Sequence, residues 1–592
     1  MCRKTDNSVT IMVAPAELPA NRRVWGTGGW LGPEEREALD WLTLCRLMGW
    51  EADVQRIDQW NPNIDFGGES DCIILACDPS QVSDAWIDLL AARLAVCPLS
   101  VVARVGAVDN RFARLYGAAA KSGVASGHDL NWRGPGPTRQ WFCRKAFEMR
   151  PLHVTGDSEA WATLDGEPVI AGKRSGRGVV ATLGFHPSRG RDADGTITSL
   201  LRHLLVWVRQ GPVAWLNLEN TLVLRMDDPG GAQNVYNRGW SHPKLMESDW
   251  ARVGTDLRRR NGRLSIAYVT GWVDDADPCR GSLRVAGKSP TRHPGTIYDS
   301  PMVEYLDLAG HAPGTIHDYG NEYRGIQALR QNGLADVELH GHTHMHPDSL
   351  GWAQAPQRYE SVSWFRELGK PAEEYISSLP LERHPLAIGV AALQCYFQTR
   401  PITLICPGDQ WTDHALERAL DLKLQMVSSY FLAIRHQERF CWTQHICAPY
   451  LDEPGASWFD SGLPVVGYFH DRDLALGGVE WMSQALDRWQ ESGVTRIIDF
   501  RELAAAIGRR LRVSETQKDL LLKVTSEDAP PLVKPLLVSI RSNSLPSRVS
   551  VEIDGRKLVL PVHSRGDGEG LVHLPCVEPT GRSHPENLHG ER

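Results

Sequence analysis

The chain has 592 residues, with 64 Lys+Arg against 72 Asp+Glu, a formal charge of −8 and 42% apolar content. That balance excludes a wholly disordered or collagen-like chain. It also argues against non-specific nucleic-acid or anionic-membrane binding, which needs clustered Lys/Arg. At about 100–200 residues per domain, the length predicts three or four domains. No window of about 18 apolar residues predicts a membrane span. The stretch Val9 to Ala16 is broken by Pro15 and followed by Glu17 and Pro19, which is too short and interrupted for a secretory leader, so a cytoplasmic location is expected. The 12 cysteines form no C-x-x-C pair, which fits reduced thiols better than a disulfide framework.

Residues 8–15, 71–77 and 100–105 are β-branched-rich runs separated by helical patterns at 33–49 and 83–95. This alternation predicts a parallel sheet with helices on its faces. From Trp161 to Leu183 the pattern becomes that of hairpins, with Asp165-Gly166 and Ser175-Gly176-Arg177-Gly178 as turns. A helix over Gly195–Gln210 closes a first region, 1–213. The run GEPVIAGKRSGRGVVATLGFHPS resembles the terminal strands of class-I glutamine-amidotransferase-like, flavodoxin-like domains. Those enzymes carry a Cys on a Gly-flanked turn, and no G-x-C-x-G occurs here. The resemblance therefore implies a non-catalytic scaffold or a substrate-binding wall.

A second α/β stretch places strands at Thr221–Met226, Leu264–Val269, Val337–His340, Thr403–Cys406, Gln425–Ser428, Val465–Phe469 and Arg496–Asp499, before a helix over Phe500–Leu511. The spacing predicts a (β/α) barrel over 214–513, with chemistry at the C-terminal ends of its strands. Residues 275–325, rich in Gly, Pro, Asp and His, read as a loop inserted beside that face. After Pro530-Pro531, the strands Leu536–Ile540 and Leu571–Val577 and a hairpin turning at Asp554-Gly555 predict a small all-β module over 530–580. Residues 581–592 read as a disordered tail.

Two sequence features carry chemistry. Asp227 and Asp228 sit together at a strand end before Pro229-Gly230, where adjacent carboxylates require a cation or a proton unless they serve only as turn formers. Further on, His340, His342, His344 and His346 fall within seven positions directly after an apolar strand. On a helical turn, residues four apart share a face, so either His342/His346 or His340/His344 could meet one metal.

With these residues in view, the chain resembles the polysaccharide deacetylase superfamily, the NodB-homology carbohydrate esterases (carbohydrate esterase family 4-like). Its T-F-D-D motif is matched by Arg225-Met226-Asp227-Asp228, and its H-[ST]-x-x-H motif by His342-Thr343-His344-Met345-His346-Pro347. The Thr and the Pro select this register over His340/His344. The third motif corresponds loosely to Ile405-Cys406-Pro407-Gly408, and the last to Val465–His470. The resemblance implies a divalent metal, zinc by default, on Asp228, His342 and His346. It implies Asp227 as general base, Gly408 as an oxyanion donor and His470 as the acid, with Asp471 or Asp473 holding the imidazole charged. Pro407 and Trp411 become candidates for contact with substrate. An Arg that orients the base in the family is absent from the third motif, and Arg225 is the candidate to replace it. The implied function is removal of N-acetyl groups from an oligo- or polysaccharide. Two alternatives stay open: hydrolysis of another amide, ester or non-peptide C–N bond, and a catalytically silent carbohydrate-binding scaffold.

Overall fold

The computed structural model describes residues 8–14, 23–26, 33–59, 72–105, 113–187, 195–355, 366–515, 519–526 and 529–576. In the amino-terminal sheet, strands Glu51–Arg56, Ser8–Val13, Cys72–Leu75, Ser100–Arg104 and Gly178–Leu183 run parallel in that order. By position in the chain this is the doubly wound order 2-1-3-4-5. Four antiparallel strands extend it: Glu167–Ser175, Glu159–Leu164, Ala125–Trp132 and Arg139–Met149. Ser83 caps helix Asp84–Val96 by accepting from Trp86 N, satisfying an amide that the first helical turn leaves open. Helix Thr196–Val208 buries Ile197, Leu200, Leu201, Leu204 and Leu205, the apolar stripe of an amphipathic helix.

The central sheet runs Val24–Trp25, Arg439–Cys447, Phe431–His436, Met426–Ser428, Thr403–Ile405, Ala335–Leu339, Leu264–Tyr268, Thr221–Asp227 and Val465–His470. Strand Arg496–Ile498 pairs alongside the start of Thr221–Asp227. Its first strand comes from the amino-terminal region, where Val24 and Trp25 pair with Phe440 and Cys441. Both faces are covered. Leu222, Leu224 and Met226 enter one core, while Val223, Ala267, Ile405 and Val466 enter another that continues into the amino-terminal sheet. This alternation is the period of a strand buried on both sides.

The expected barrel does not close among the described residues. Strands Phe431–His436 and Arg439–Cys447 form an antiparallel hairpin where another β/α unit would stand. The far edges meet at a single bridge between Tyr450 and Tyr468. There Leu451 N donates to Tyr468 O at 2.7 Å and Tyr468 N to Pro449 O at 3.2 Å.

The expected loop 275–325 contains structure of its own. Strands Gly281–Val285, Val303–Asp307 and Ile316–Asp318 form a small sheet, and Gly271–Val273 pairs with Ile297–Asp299. Near the carboxyl end, helix Phe500–Ile507 stops four residues before the predicted Leu511, and strand Arg509–Glu515 begins at once. Leu511 and Val513 are buried and Arg512 is not, so a two-residue period overrides the helical one here. This strand joins Leu520–Ser526, Arg548–Ile553 and Arg556–Pro561 in one sheet, while Val213–Leu216, Leu536–Arg541, Glu569–Leu574 and His563–Gly566 make a second. The β structure thus starts at Arg509, before the expected 530, and takes in Val213–Leu216. The predicted tail 581–592 lies outside the described residues. Among the described residues no helix is long and apolar enough to cross a membrane, and the cysteines are free.

Candidate metal centre

Strand Thr221–Asp227 is buried along its whole length, so the polar groups at its end must find partners inside the protein. Asp228 leaves the strand with φ 81°, a left-handed conformation that is costly for a residue with a Cβ. His340 is the first residue past strand Ala335–Leu339, two strands away across Leu264–Tyr268. Gly341 then turns the chain at φ 69°, and a Cβ there would lie 2.1 Å from Glu367 Oε2. Glu367 fastens the turn by accepting from the amides of His342 at 2.8 Å, Thr343 at 3.0 Å and His344 at 3.3 Å, and from the Thr343 hydroxyl at 3.1 Å. Burial raises the Glu367 carboxyl to about 7 against these bonds. His344 itself has φ 60°.

These turns bring Asp228, His340 and His344 together, with ligand atoms all within 4.8 Å of one another. His340 Nε2 lies 3.1 Å and His344 Nε2 3.3 Å from the same oxygen, Asp228 Oδ1. His340 Nδ1 is 3.0 Å from the carbonyl of Ile405. A carbonyl only accepts, so Nδ1 carries a proton; burial alone would lower the imidazole, but the Asp228 hydrogen bond and the charges of Asp227 and Asp228 raise it, and once neutral it presents its Nε2 lone pair to a carboxylate oxygen. Two lone pairs do not face each other at that distance without a proton or a cation between them. The donor set therefore fits a divalent metal on two imidazoles and one carboxylate, and Ile405 supplies the outer bond that orients a metal-binding His. Burial drives His344 down to about 4, which leaves it neutral. The second oxygen, Asp228 Oδ2, accepts from Trp240 Nε1 at 3.1 Å.

Asp227 is held separately. Arg225 Nε lies 2.8 Å from Oδ1 and 3.0 Å from Oδ2, and Nη2 also contacts Oδ2. The other arm of the guanidinium donates to Ser428 Oγ at 3.1 Å and to Ser429 O at 3.2 Å. The buried guanidinium thus stands beside Asp227, although no Arg is present in the third motif. At the end of Val465–His470, His470 Nδ1 pairs with Asp473 Oδ2 at 3.4 Å. Burial alone would lower the imidazole, but the Asp473 hydrogen bond and the charges of Asp228 and Asp227 outweigh it and raise it to about 9. Asp471, the other candidate partner, turns instead to Lys244 Nζ at 2.7 Å and His242 Nε2 at 3.2 Å.

Asp227, Asp228, His340, His344, Gly408 and His470 line one cavity of about 160 Å³, completed by Gln233, Asn237, Trp240, Cys406 and Asp409. Of the expected ligands, the structure brings Asp228 to the cluster but neither His342 nor His346. His342 Nδ1 sits 2.9 Å from Thr270 Oγ1, and its carbonyl accepts from Thr270 N and Gly271 N. His346 Nδ1 accepts from Asp348 N at 3.1 Å, with Nε2 3.3 Å from Pro371 O. The segment is no helix, so spacing did not discriminate between the two pairs. The residue directly after the strand end, which faces the neighbouring Asp228, did. Pro407 packs against Gly341, and Trp411 stacks on Trp442 at 4.5 Å; neither lines the cavity. Sequence reasoning missed Trp240, Gln233, Asn237, Asp409 and Glu367. Asp409 directly follows the Pro407-Gly408 motif and was in reach; the others carry no motif, Gln233 opening the short helix Gln233–Tyr236 and Trp240 ending the 3-10 turn Arg238–Trp240.

No family model and no curated protein matches the chain. Among solved structures it is similar to an exo-β-1,4-mannosidase from Opitutaceae bacterium strain TAV5, with 15% identity over 30% of this chain and 31% of that one and a TM-score of 0.22. It is also similar to a CE4 family pseudoenzyme from Bacillus anthracis, with 8% identity over 48% of this chain and 66% of that one and a TM-score of 0.24. A mutant of that pseudoenzyme with restored enzymatic activity gives 9%, 48%, 68% and 0.24. The chain spans under a third of the mannosidase's length. At such TM-scores these likenesses carry no weight, and the chemistry is read from the side chains.

Proposed function

We propose that the protein is a metal-dependent hydrolase that removes N-acetyl groups from amino sugars of an oligo- or polysaccharide. The observation that carries this reading is one cavity lined by a buried carboxylate and two buried imidazoles aimed at a common point, with a carboxylate and an imidazolium beside them. A divalent metal held by Asp228, His340 and His344, zinc by default, would polarise the acetyl carbonyl and acidify water.

The chain's own groups supply the rest. Asp227, fixed by Arg225, takes a proton from the water whose oxygen attacks the carbonyl carbon. A carboxylate gripped on both oxygens keeps its direction, which a base needs before the attack. Gly408, in the cavity wall, offers its amide to the developing oxyanion. His470, kept protonated by Asp473, gives its proton to the nitrogen as the C–N bond breaks, so that acetate and a free amine leave. The amino-terminal sheet is proposed as a non-catalytic wall or scaffold.

The decisive test is elemental analysis of tag-free protein together with acetate release from N-acetylated oligosaccharides. About one zinc per chain and acetate release are expected. A wild-type protein that takes up no divalent metal after reconstitution overturns the reading.

A further inference from the structure

Asp227, Asn237, Trp240, Asp409 and His470, which line the cavity with the triad, have partners, and Gln233 does not. It is 4% exposed and lines the same cavity. Neither its carboxamide oxygen nor its nitrogen has a hydrogen-bond partner. The side chain folds back over the loop: a Cβ on Gly231 would stand 1.9 Å from Gln233 Oε1 and 2.7 Å from Nε2. A buried amide left with both ends unpaired is costly, and a Met or Leu would fill the same space without that cost. An orphaned polar group in the wall of a site is what a bound ligand would satisfy.

Resting on the deacetylase reading, we propose that Gln233 is the residue that recognises the substrate, through both ends of its carboxamide at once. A carboxamide offers one acceptor and two donors side by side. Its complement is a ligand with a donor and an acceptor on neighbouring atoms. A 2-acetamido sugar has this pattern: the amide N–H at one ring carbon and a free hydroxyl at the next. Gln233 Oε1 accepts from the acetamido N–H, and Nε2 donates to the adjacent hydroxyl oxygen. The substrate class is then an N-acetylated hexosamine whose neighbouring hydroxyl is unsubstituted. The carbonyl is left to the metal side of the cavity and to Gly408. Gly231 serves the same end by leaving the carboxamide room.

Gln233→Met tests this, because it keeps the shape of the side chain and removes both polar atoms. With N-acetylchitotetraose as probe, kcat/KM for acetate release should fall about 10- to 100-fold, as expected for two lost neutral hydrogen bonds. Metal content should equal that of wild type. The ligand-free variant should melt at a higher temperature, because an unpaired buried amide has gone. Wild type should prefer the probe to a counterpart lacking the 3-hydroxyl, and the variant should lose that preference, a readout a merely structural residue would not move. Unchanged kcat/KM and preference in Gln233→Met, or a lower melting temperature with kcat/KM intact, would overturn the assignment of Gln233 alone. A metal-loaded wild type that neither binds nor deacetylates the probe would instead sink the deacetylase reading, and this assignment with it.

Discussion

His203 in the amino-terminal region and the pair His340 and His344 in the central sheet are all at least nine-tenths buried, yet their surroundings give them opposite chemistry. His203 lies among indoles, 5.1 Å from the Trp132 ring and 5.8 Å from that of Trp141, with Trp207 at 6.0 Å. Its Nε2 has no partner, and burial, helped by Arg139, drives its pKa down to about 3. It is an aromatic core residue that happens to contain nitrogen. His340 and His344 face one carboxylate oxygen instead, with the outer nitrogen of His340 anchored on a carbonyl. Burial is therefore not what makes a histidine functional; a convergent acceptor with nothing yet to share is.

Four expected outcomes would break or sharpen that contrast. The largest concerns the register. Asp228→Ala, or His340→Ala with His344→Ala, should abolish metal binding in elemental analysis, whereas His342→Ala with His346→Ala should retain about one ion per chain. The reverse pattern would return the site to the Thr-and-Pro register. Next comes the base: Asp227→Asn should keep the metal and lower kcat about 10²- to 10⁴-fold. Arg225→Met should lower kcat less, about 10- to 100-fold, with little change in KM, since it removes orientation and not the base. An Arg225→Met enzyme with wild-type kcat would show that the guanidinium serves only the fold.

A smaller effect is expected at the turn that delivers the second histidine. Gly341→Ala puts a Cβ onto a left-handed residue and into Glu367, and should weaken cobalt or zinc affinity about 10-fold by titration. Unaltered affinity would mean that Glu367 and the turn do not position His344.

The smallest concerns the aromatic cage and has a definite sign. The folded pKa of His203, about 3, lies below its unfolded value near 6.5. Between those values the unfolded chain binds the extra proton, so stability present above about pH 6.5 is lost as the pH falls. His203→Phe should remove about 1.4 kcal/mol of acid destabilisation per pH unit in that window. Denaturant melts at pH 7 and pH 4.5 check this, and equal pH dependence in the two proteins would mean that His203 is charged in the fold.

Much of the architecture was legible in advance because it is written in local periods. The parallel strands at 8–13, 72–75 and 100–104, the hairpin at Asp165-Gly166 with both residues at positive φ and the strand ends at Asp227 and His470 follow from β-branched runs, turn residues and adjacent charge. The unclosed central sheet was not legible, because closure depends on how strands at opposite edges meet, here through Tyr450 and Tyr468. The early strand Arg509–Glu515 was misread because Arg-Arg-Leu-Arg satisfies a helical pattern as well as an alternating one.

What the sequence by itself determined is the inventory: two adjacent carboxylates at a strand end, four histidines after another strand, and a fifth histidine ending a strand before Asp471 and Asp473. Only the tertiary structure decided which of the four histidines meet Asp228. A spacing of four is shared by both pairs, and the choice was made by Gly341 turning left-handed, by Glu367 collecting three amides, and by Ile405 presenting a carbonyl from the adjacent strand. The structure likewise showed Arg225 gripping Asp227 and Gln233 standing without a partner. Each of these is a relation between side chains brought together by strand pairing, and no periodicity along the chain encodes it.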